Sequence, residues 1–247
     1  MKRQAEVDFF DGFVEDHGEY DVLGDGAYRR LLHMFESLCK PGRAEVCLDC
    51  GCGTGAFTRR LLQLDLNLTG IDISPRSIRS AQSRATCETY KVGDLAQLDV
   101  PAESVDIAVF SGVLHHFPER EDRNRILGEA FRVLKPGGRI FGFDPSAHSP
   151  SMWLYRSPSS PFYSPIGKTE NEILLTRCQL ESDLRQAGFE GVSIRGLGGI
   201  TYKYVEGRVA RVFLPLYNIY EKLLRMSPLE KRMGTFLISF GRKALSQ

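Results

Sequence analysis

A glycine-rich segment between a short apolar strand and a helix constrains the fold of this 247-residue chain more than any other feature. Residues 45–49 read EVCLD and the next six read CGCGTG, so glycines stand at 51, 53 and 55 just after the predicted strand. Glycines let the backbone turn tightly and let a ligand come close, while the free N–H groups at a helix start attract it. The segment therefore predicts a ligand-binding turn at the carboxyl end of a strand.

Short apolar runs and helical patterns alternate along the rest of the chain. The predicted strands are 45–49, 68–72, 89–92, 104–110, 139–143, 191–199 and 234–241, and the predicted helices are 28–39, 55–64, 75–84, 122–134, 169–187 and 205–226. Such alternation is typical of an α/β fold with a mostly parallel sheet. The composition, with 42% hydrophobic and 26% charged residues, is that of a globular protein and excludes a largely disordered chain.

The composition along the chain divides it into segments. Residues 1–40 are predicted to form an N-terminal arm and a helix, because 1–25 combine eight acids and only two cations with four aromatics. Residues 41–247 form the main domain, in which the proline- and aromatic-rich stretch 145–168 is predicted to be a lid loop and 205–232 a helical insertion. The stretch 203–243 is basic, which fits an anionic acceptor, an interface with the acidic arm, or simply a solvated helix face.

Acidic residues end the next two predicted strands. Asp72 lies 21 residues after Gly51, where an acid can hydrogen-bond the ribose hydroxyls of an adenosine, and Asp94 could reach the adenine ring. The spacing from Gly51 to Ala56 also fits a dinucleotide fingerprint, a weak signal alone. A charged Asp49 would repel a pyrophosphate but suits the ammonium of a methionine moiety.

Taken in order, these motifs resemble those of the class I S-adenosylmethionine (SAM)-dependent methyltransferases. The matching segments, within roughly residues 45–145, are 49–55 (DCGCGTG), 70–72 (GID), 93–94 (GD), 106–111 (DIAVFS) and 134–138 (LKPGG). The resemblance implies a Rossmann-like three-layer sandwich with a seven-stranded sheet of order 3-2-1-4-5-7-6, the last strand antiparallel. It also implies methyl transfer to an oxygen, nitrogen or carbon atom of a small-molecule acceptor.

The same resemblance implies a set of cofactor contacts. Gly51 and Gly53 would line the methionine end of SAM, Asp72 the ribose, Asp94 and Leu95 the adenine, and Ser111 the amino group. The full set of expected cofactor-binding residues is Asp49, Gly51, Cys52, Gly53, Asp72, Ile73, Asp94, Leu95, Ser111 and Val113.

Two adjacent histidines, His115 and His116, follow the fourth predicted strand and are the candidates for a general base, with His116 preferred. Alternatively, the pair only shapes the loop and contacts the cofactor. Aromatic side chains supply large apolar contact areas with polar ends, so they are the candidates for binding the acceptor. These residues are Tyr28, Trp153, Tyr155, Phe162 and Tyr163.

The remaining expectations concern metals, partners and location. Cys47 and Cys50 point to opposite faces of a strand and no second Cys/His pair has zinc-site spacing, so no metal is predicted. The net charge of +1 disfavours a nucleic-acid partner, and no apolar run is long enough to span a membrane. We expect no membrane partner, a cytoplasmic location, and a monomer or homodimer. An NAD(P)-dependent oxidoreductase, a non-catalytic SAM-binding scaffold and an RNA methyltransferase remain as alternatives.

Overall fold

The sheet at the centre of the molecule has seven strands in the order β3-β2-β1-β4-β5-β7-β6. The computed structural model describes residues 2–157, 159–160, 163, 169, 171–205 and 207–245. The strands are β1 (Val46–Cys50), β2 (Asn67–Asp72), β3 (Thr89–Val92), β4 (Val105–Ser111), β5 (Leu134–Pro145), β6 (Glu190–Leu197) and β7 (Phe236–Arg242). β7 runs antiparallel to both β5 and β6, whereas β1 to β5 are parallel. The predicted fold class and strand order are confirmed.

Helices cover both faces of this sheet and extend over its carboxyl ends. They are α1 (Lys2–His17), α2 (Asp25–Cys39), α3 (Ala56–Leu61), α4 (Pro75–Gln82), α5 (Arg120–Val133), α6 (Pro150–Arg156), α7 (Arg177–Gln186), α8 (Arg208–Arg225) and α9 (Glu230–Met233). Short 3₁₀ turns follow α3 (Leu62–Leu64) and β4 (Leu114–His116). Within the described part of the chain, no helix has both the length and the apolar character needed to cross a bilayer.

Two hydrophobic cores lie on opposite sides of the sheet. Successive residues of β4 alternate between them, since Ile107 and Val109 join one core while Ala108 and Phe110 join the other. Cys47 and Cys50 likewise belong to different cores, as expected of residues on opposite faces of a strand. The near-continuous apolar run of β4 is therefore explained by burial on both faces.

Three predicted elements need correction. The predicted helix 169–187 begins only at Arg177, because Thr176 caps it with a capping box and the preceding residues are extended. In that extended stretch, the Ile173 N–H donates to the His115 carbonyl and Leu175 pairs with Ser146. The fifth strand is longer than 139–143, since it starts at Leu134 opposite Val105. The segment 145–168 is not only loop, because α6 begins there with Ser149 as N-cap and Pro150 at its first position.

The N-terminal helix α1 lies across α4 and reaches the carboxyl ends of the strands. Arg76 of α4 pairs with Glu15 of α1, and the hydroxyl of Ser74 donates to Asp11. After α1, the Tyr20 N–H donates to Thr54 Oγ1 (2.9 Å), which ties the chain to the glycine-rich turn. These contacts place the N-terminal segment over the site described next.

Candidate functional site

A cavity of about 260 Å³ opens at the carboxyl ends of β1, β2 and β4, where parallel α/β sheets bind their ligands. One part of its wall comes from the strand ends and the other part from α1, α2, α6 and the residues before α7. Its charged lining residues, within the described chain, are four carboxylates and one guanidinium: Glu6, Asp72, Asp94, Glu172 and Arg156. This excess of negative charge favours a ligand that carries positive charge.

The glycine-rich turn forms the floor of the cavity. Gly51 and Gly53 have φ values of +76° and +52°, a region that side chains disfavour. A Cβ at Gly51 would meet Val113, while a Cβ at Gly53 would project into open space. The backbone at Gly53 therefore leaves room for a ligand to lie directly against it.

Asp72 holds this turn in place. Its Oδ2 accepts a hydrogen bond from the Gly53 N–H (2.8 Å) and its Oδ1 accepts one from the Ser74 N–H (2.9 Å). Burial raises the pKa of the carboxyl above its ordinary value, although the two N–H donors favour the ionised form. Each carboxylate oxygen can accept a second hydrogen bond, so Asp72 can support the turn and bind a diol at the same time.

Asp49 lies behind the turn, which corrects the expectation that it meets the ligand. It is fully buried, its Oδ2 accepts from Thr58 Oγ1 (2.6 Å), and its Oδ1 accepts from Ser111 Oγ (3.0 Å). Burial raises the pKa of Asp49 to about 6. The carboxyl thus links β1, α3 and the end of β4, and it reaches the cavity only through Ser111.

His115 is held by a buried carboxylate. Its Nδ1 lies 2.9 Å from Asp144 Oδ1, which also accepts from the His115 backbone N–H. Burial, reinforced by the charge of the neighbouring His116, lowers the pKa of His115 to about 3, and burial raises the pKa of Asp144 to about 7. At neutral pH His115 is therefore a neutral imidazole, a weak base.

His116 has a different environment, created by α1. Its Nδ1 lies 3.0 Å from Glu6 Oε2, and the other Glu6 oxygen accepts from Asn171 Nδ2 (3.0 Å). Burial by itself lowers the pKa of His116, but the close contact with Glu6 and the charges of Glu172 and Glu6 outweigh it and raise the pKa above its ordinary value. A histidine oriented by a carboxylate in this way is well suited to accept a proton near neutral pH.

Most of the predicted site residues lie together on the cavity wall. Those brought together are Tyr28, Gly51, Cys52, Gly53, Asp72, Ile73, Asp94, Leu95, Ser111, Val113, His115 and His116. Their proximity follows from the topology, because each of the strand-end residues ends a parallel strand at the same edge of the sheet.

Of the aromatic residues predicted from 145–168, the three that the structure describes do not line the cavity. Trp153 is 43% exposed, and neither Tyr155 nor Tyr163 lines the wall, while Phe162 lies outside the described residues. The reason is that α6 is a helix, so residues four apart share a face. Met152 and Arg156 occupy the face turned to the cavity, and Trp153 and Tyr155 occupy others.

Several lining residues were not predicted, because they come from segments distant in sequence. They are Glu6, Phe10, Tyr20, Phe143, Met152, Arg156, Glu172 and Tyr202. The aromatic and acidic pattern of residues 1–25 was the signal for the first three. No sequence pattern indicated Glu172 or Tyr202, since neither belongs to a motif with recognisable spacing.

Three side chains of the cavity could offer ligands to a metal ion. Atoms of His115, His116 and Glu172 lie within 4.8 Å of one another. Arg156 lies 3.7 Å from Glu172 and already balances its charge. The expectation that no metal is used stays a prediction.

Comparison with known proteins identifies related sequences. Residues 48–142 match the family model described as a methyltransferase domain. The chain is 32% identical over 161 residues to an uncharacterized methyltransferase of Synechocystis, with 65% of this chain and 74% of that protein covered. It is 35% identical over 131 residues to a malonyl-[acyl-carrier protein] O-methyltransferase of Serratia marcescens. That match covers 52% of this chain and about half, 49%, of the Serratia enzyme.

The solved structures agree at the level of the fold. A SAM-dependent methyltransferase of Thermotoga maritima, described as a possible histamine N-methyltransferase, superposes with a TM-score of 0.59 at 22% identity. The superposition covers 88% of this chain and 90% of the Thermotoga protein. The architecture of this sheet and its helices is thus shared with proteins of that group.

Proposed function

Because this chain belongs to the class I SAM-dependent methyltransferases, we propose that it transfers the methyl group of SAM to a small-molecule acceptor. One observation carries the proposal: the glycine-rich turn, the strand-end acids and the histidine pair all line one cavity. The cofactor side and the acceptor side of a transfer reaction must meet in this way, since the two reactants have to be aligned at short distance.

The residues that line the cavity fit the cofactor. The open space above Gly53 gives room for the methionine end, and Asp72 offers free lone pairs to a ribose diol. Asp94 and Leu95 form the wall that follows β3, where the adenine would lie. The excess of carboxylates in the cavity suits a sulfonium cation and disfavours the negatively charged pyrophosphate of a dinucleotide.

SAM supplies an electrophilic methyl group and a neutral thioether leaving group. An acceptor lone pair forms the new bond to the methyl carbon while the carbon–sulfur bond breaks, so the leaving group needs no proton. The protein has to align the acceptor, exclude water and, where the acceptor carries a proton, remove it. In our proposal Nε2 of His116 takes that proton, and Glu6 at Nδ1 holds the ring and stabilises the resulting imidazolium.

The acceptor side of the cavity favours a small molecule with an apolar part. Apolar and aromatic side chains form much of it, with Arg156 and Glu172 as polar groups that can orient the acceptor. These side chains are Phe10, Tyr28, Phe143, Met152, Tyr202 and Phe236. The Serratia relative acts on a malonyl group carried by a protein, which supports an acceptor of modest size.

Calorimetric titration with SAM, S-adenosylhomocysteine and NAD tests the proposal. We expect saturable binding of the first two and none of NAD. Incubation with methyl-labelled SAM and fractionated small-molecule extracts should then give labelled product. Tight NAD binding without SAM binding would refute the proposed function, and SAM binding without any labelled product would indicate a binding scaffold.

A further inference from the structure

Helix α8 exposes a continuous apolar stripe, which is unusual for the surface of a globular protein. Six large apolar residues on it or directly after it are between 53% and 83% exposed: Val212, Phe213, Leu216, Ile219, Leu223 and Met226. Most of them follow one another at spacings of three and four residues, so they form a single face of the helix. Scattered exposed apolar residues need no explanation, but a contiguous face of this kind marks an interaction surface.

The opposite face fixes α8 to the domain. Glu221 and Leu224 are buried, and the Tyr217 hydroxyl donates to the Ile200 carbonyl (3.0 Å). Asn218 exchanges two hydrogen bonds with the backbone of Tyr202, each 3.0 Å. The helix is therefore anchored by its polar face, and it cannot turn the apolar stripe inward without losing these bonds.

Among the described residues, the exposed charges that α8 places beside the stripe are all positive. Lys222 lies three residues from Ile219 and four from Met226, so it is beside the stripe, and Arg208 lies beside Val212. Arg211 and Arg225 are also exposed. The only acid of α8, Glu221, is buried and accepts hydrogen bonds from Thr235 and Ile200. The exposed part of the helix thus combines apolar surface with a purely cationic border.

We propose that α8 docks the protein on an anionic membrane surface, with its apolar stripe among the acyl chains and its cations at the headgroups. An amphipathic helix of this composition is typical of segments that lie in the plane of a membrane interface. Each cation near an anionic lipid surface adds attraction. A second copy of the chain fits less well, because in a symmetric pair the same cationic border meets itself.

The docked helix adjoins the cavity. Tyr202, which α8 holds through Asn218, is itself part of the cavity wall. From this adjacency we further infer that the acceptor of the methyl group is a molecule carried by the membrane, with an apolar chain in the lipid and its reactive group in the cavity. This second step rests on the proposed function, whereas the docking step does not.

The expectation from the sequence that the chain has no membrane partner rested on the lack of a spanning segment. A helix that lies on the membrane surface needs no such segment. Periodicity alone could not separate the two faces of α8, because its buried side is partly polar (Glu221, Asn218) and its exposed side is apolar.

Vesicle flotation tests the docking step. We expect the full chain to float with vesicles of phosphatidylglycerol and to bind phosphatidylcholine vesicles at least tenfold more weakly. Binding should weaken as salt is raised, because part of the attraction is electrostatic. Absence of binding to phosphatidylglycerol at moderate salt would overturn the proposal.

Paired variants identify the surface. L216S/L223S should lose at least tenfold in vesicle affinity, and K222Q/R225Q roughly fivefold for each charge removed. Matched controls outside α8 are Leu245→Ser for exposed apolar surface and R79Q/K91Q for exposed charge, and both should bind vesicles like the wild type. All variants alter exposed side chains, so their melting temperatures and SAM affinities should match the wild type.

Two further outcomes are decisive. If sedimentation velocity shows a dimer that L216S/L223S dissociates, the stripe is an interface between copies and the membrane proposal is wrong. With methyl-labelled SAM and a membrane extract, label in the lipid phase that falls tenfold in L216S/L223S supports the lipid-borne acceptor. Label confined to water-soluble products would overturn the inference of a lipid-borne acceptor. SAM binding tests the proposed function separately, and vesicle binding tests the docking of α8 separately.

Discussion

Asp72 serves two purposes, because it supports the glycine-rich turn and faces the cavity. Asp72→Ala removes a charged acceptor from the cofactor site, and hydrogen bonds to charged groups contribute roughly 1.5–3 kcal/mol each. We expect SAM affinity to fall at least tenfold, measured by calorimetry. Asp65→Ala is the control, since Asp65 is an exposed acid whose carboxylate pairs with exposed Arg43. Unchanged affinity in Asp72→Ala would mean that the cofactor lies elsewhere.

The two histidines should differ in their effect on turnover. If His116 is the base, His116→Ala should lower kcat by ~10²–10⁴, with SAM affinity nearly unchanged. A rise in the KM for SAM at constant kcat would instead show that the ring is only a wall of the cofactor site.

The pH dependence of kcat shows whether Glu6 raises or lowers the pKa of His116. Glu6 stabilises the protonated form of His116, so the pKa of His116 is raised and the ring loses its proton at a higher pH than an ordinary histidine. Wild-type kcat should therefore rise with pH through that higher pKa. In Glu6→Gln the pKa falls and the rise should move to lower pH, whereas Asp8→Asn, on the exposed side of α1, should leave it in place. Identical profiles for wild type and Glu6→Gln would exclude Glu6 as the positioning residue.

At the scale of elements, α6 shows what the sequence could and could not predict. The composition of 145–168 indicated an aromatic lid, but only the helix geometry shows that Met152 rather than Trp153 faces the cavity. We therefore expect Met152→Ala to raise the acceptor KM by roughly tenfold, in line with the loss of one apolar contact surface. Trp153→Ala, one position away, is the matched control and should change it little. The reverse result would put the other face of α6 against the acceptor.

Helix α1 is the second element with a specific prediction. It supplies Glu6 and Phe10 to the cavity, and directly after it the Tyr20 N–H donates a hydrogen bond to Thr54 Oγ1. Deleting residues 1–20 should lower turnover at least ~100-fold, because the proposed base loses its partner and the cavity loses a wall. Circular dichroism should still show a folded sheet. Normal turnover of the shortened chain would remove α1 from the mechanism.

The strand-end site could be predicted from sequence because its residues are set by local motifs and a regular topology. The glycines at 51 and 53 and the acids at 72 and 94 each follow a strand, and parallel strands end at one edge. Glu6, Glu172 and Tyr202 could not be predicted in this way. They reach the cavity from segments far apart in sequence, and their positions depend on how α1, α6 and α8 pack rather than on any local pattern.

At the scale of the whole molecule, cofactor binding should stabilise the fold. A ligand that binds only the native state at about 100 times its Kd adds ~2.7 kcal/mol to the free energy of unfolding. For a chain of this size that corresponds to a rise in Tm of roughly 5–10 °C. We expect S-adenosylhomocysteine to produce this shift in thermal melting and NAD to produce none. Equal shifts from both would indicate non-specific nucleotide binding.

The position of β7 has a consequence for how the chain is made. It pairs with β5 on one side and β6 on the other, although it is translated after both. While the ribosome is still adding residues before Phe236, β5 has a free edge and β6 has no neighbour in the sheet. Free edges promote association between chains, so the nascent sheet is open to such association until its final strand closes the gap.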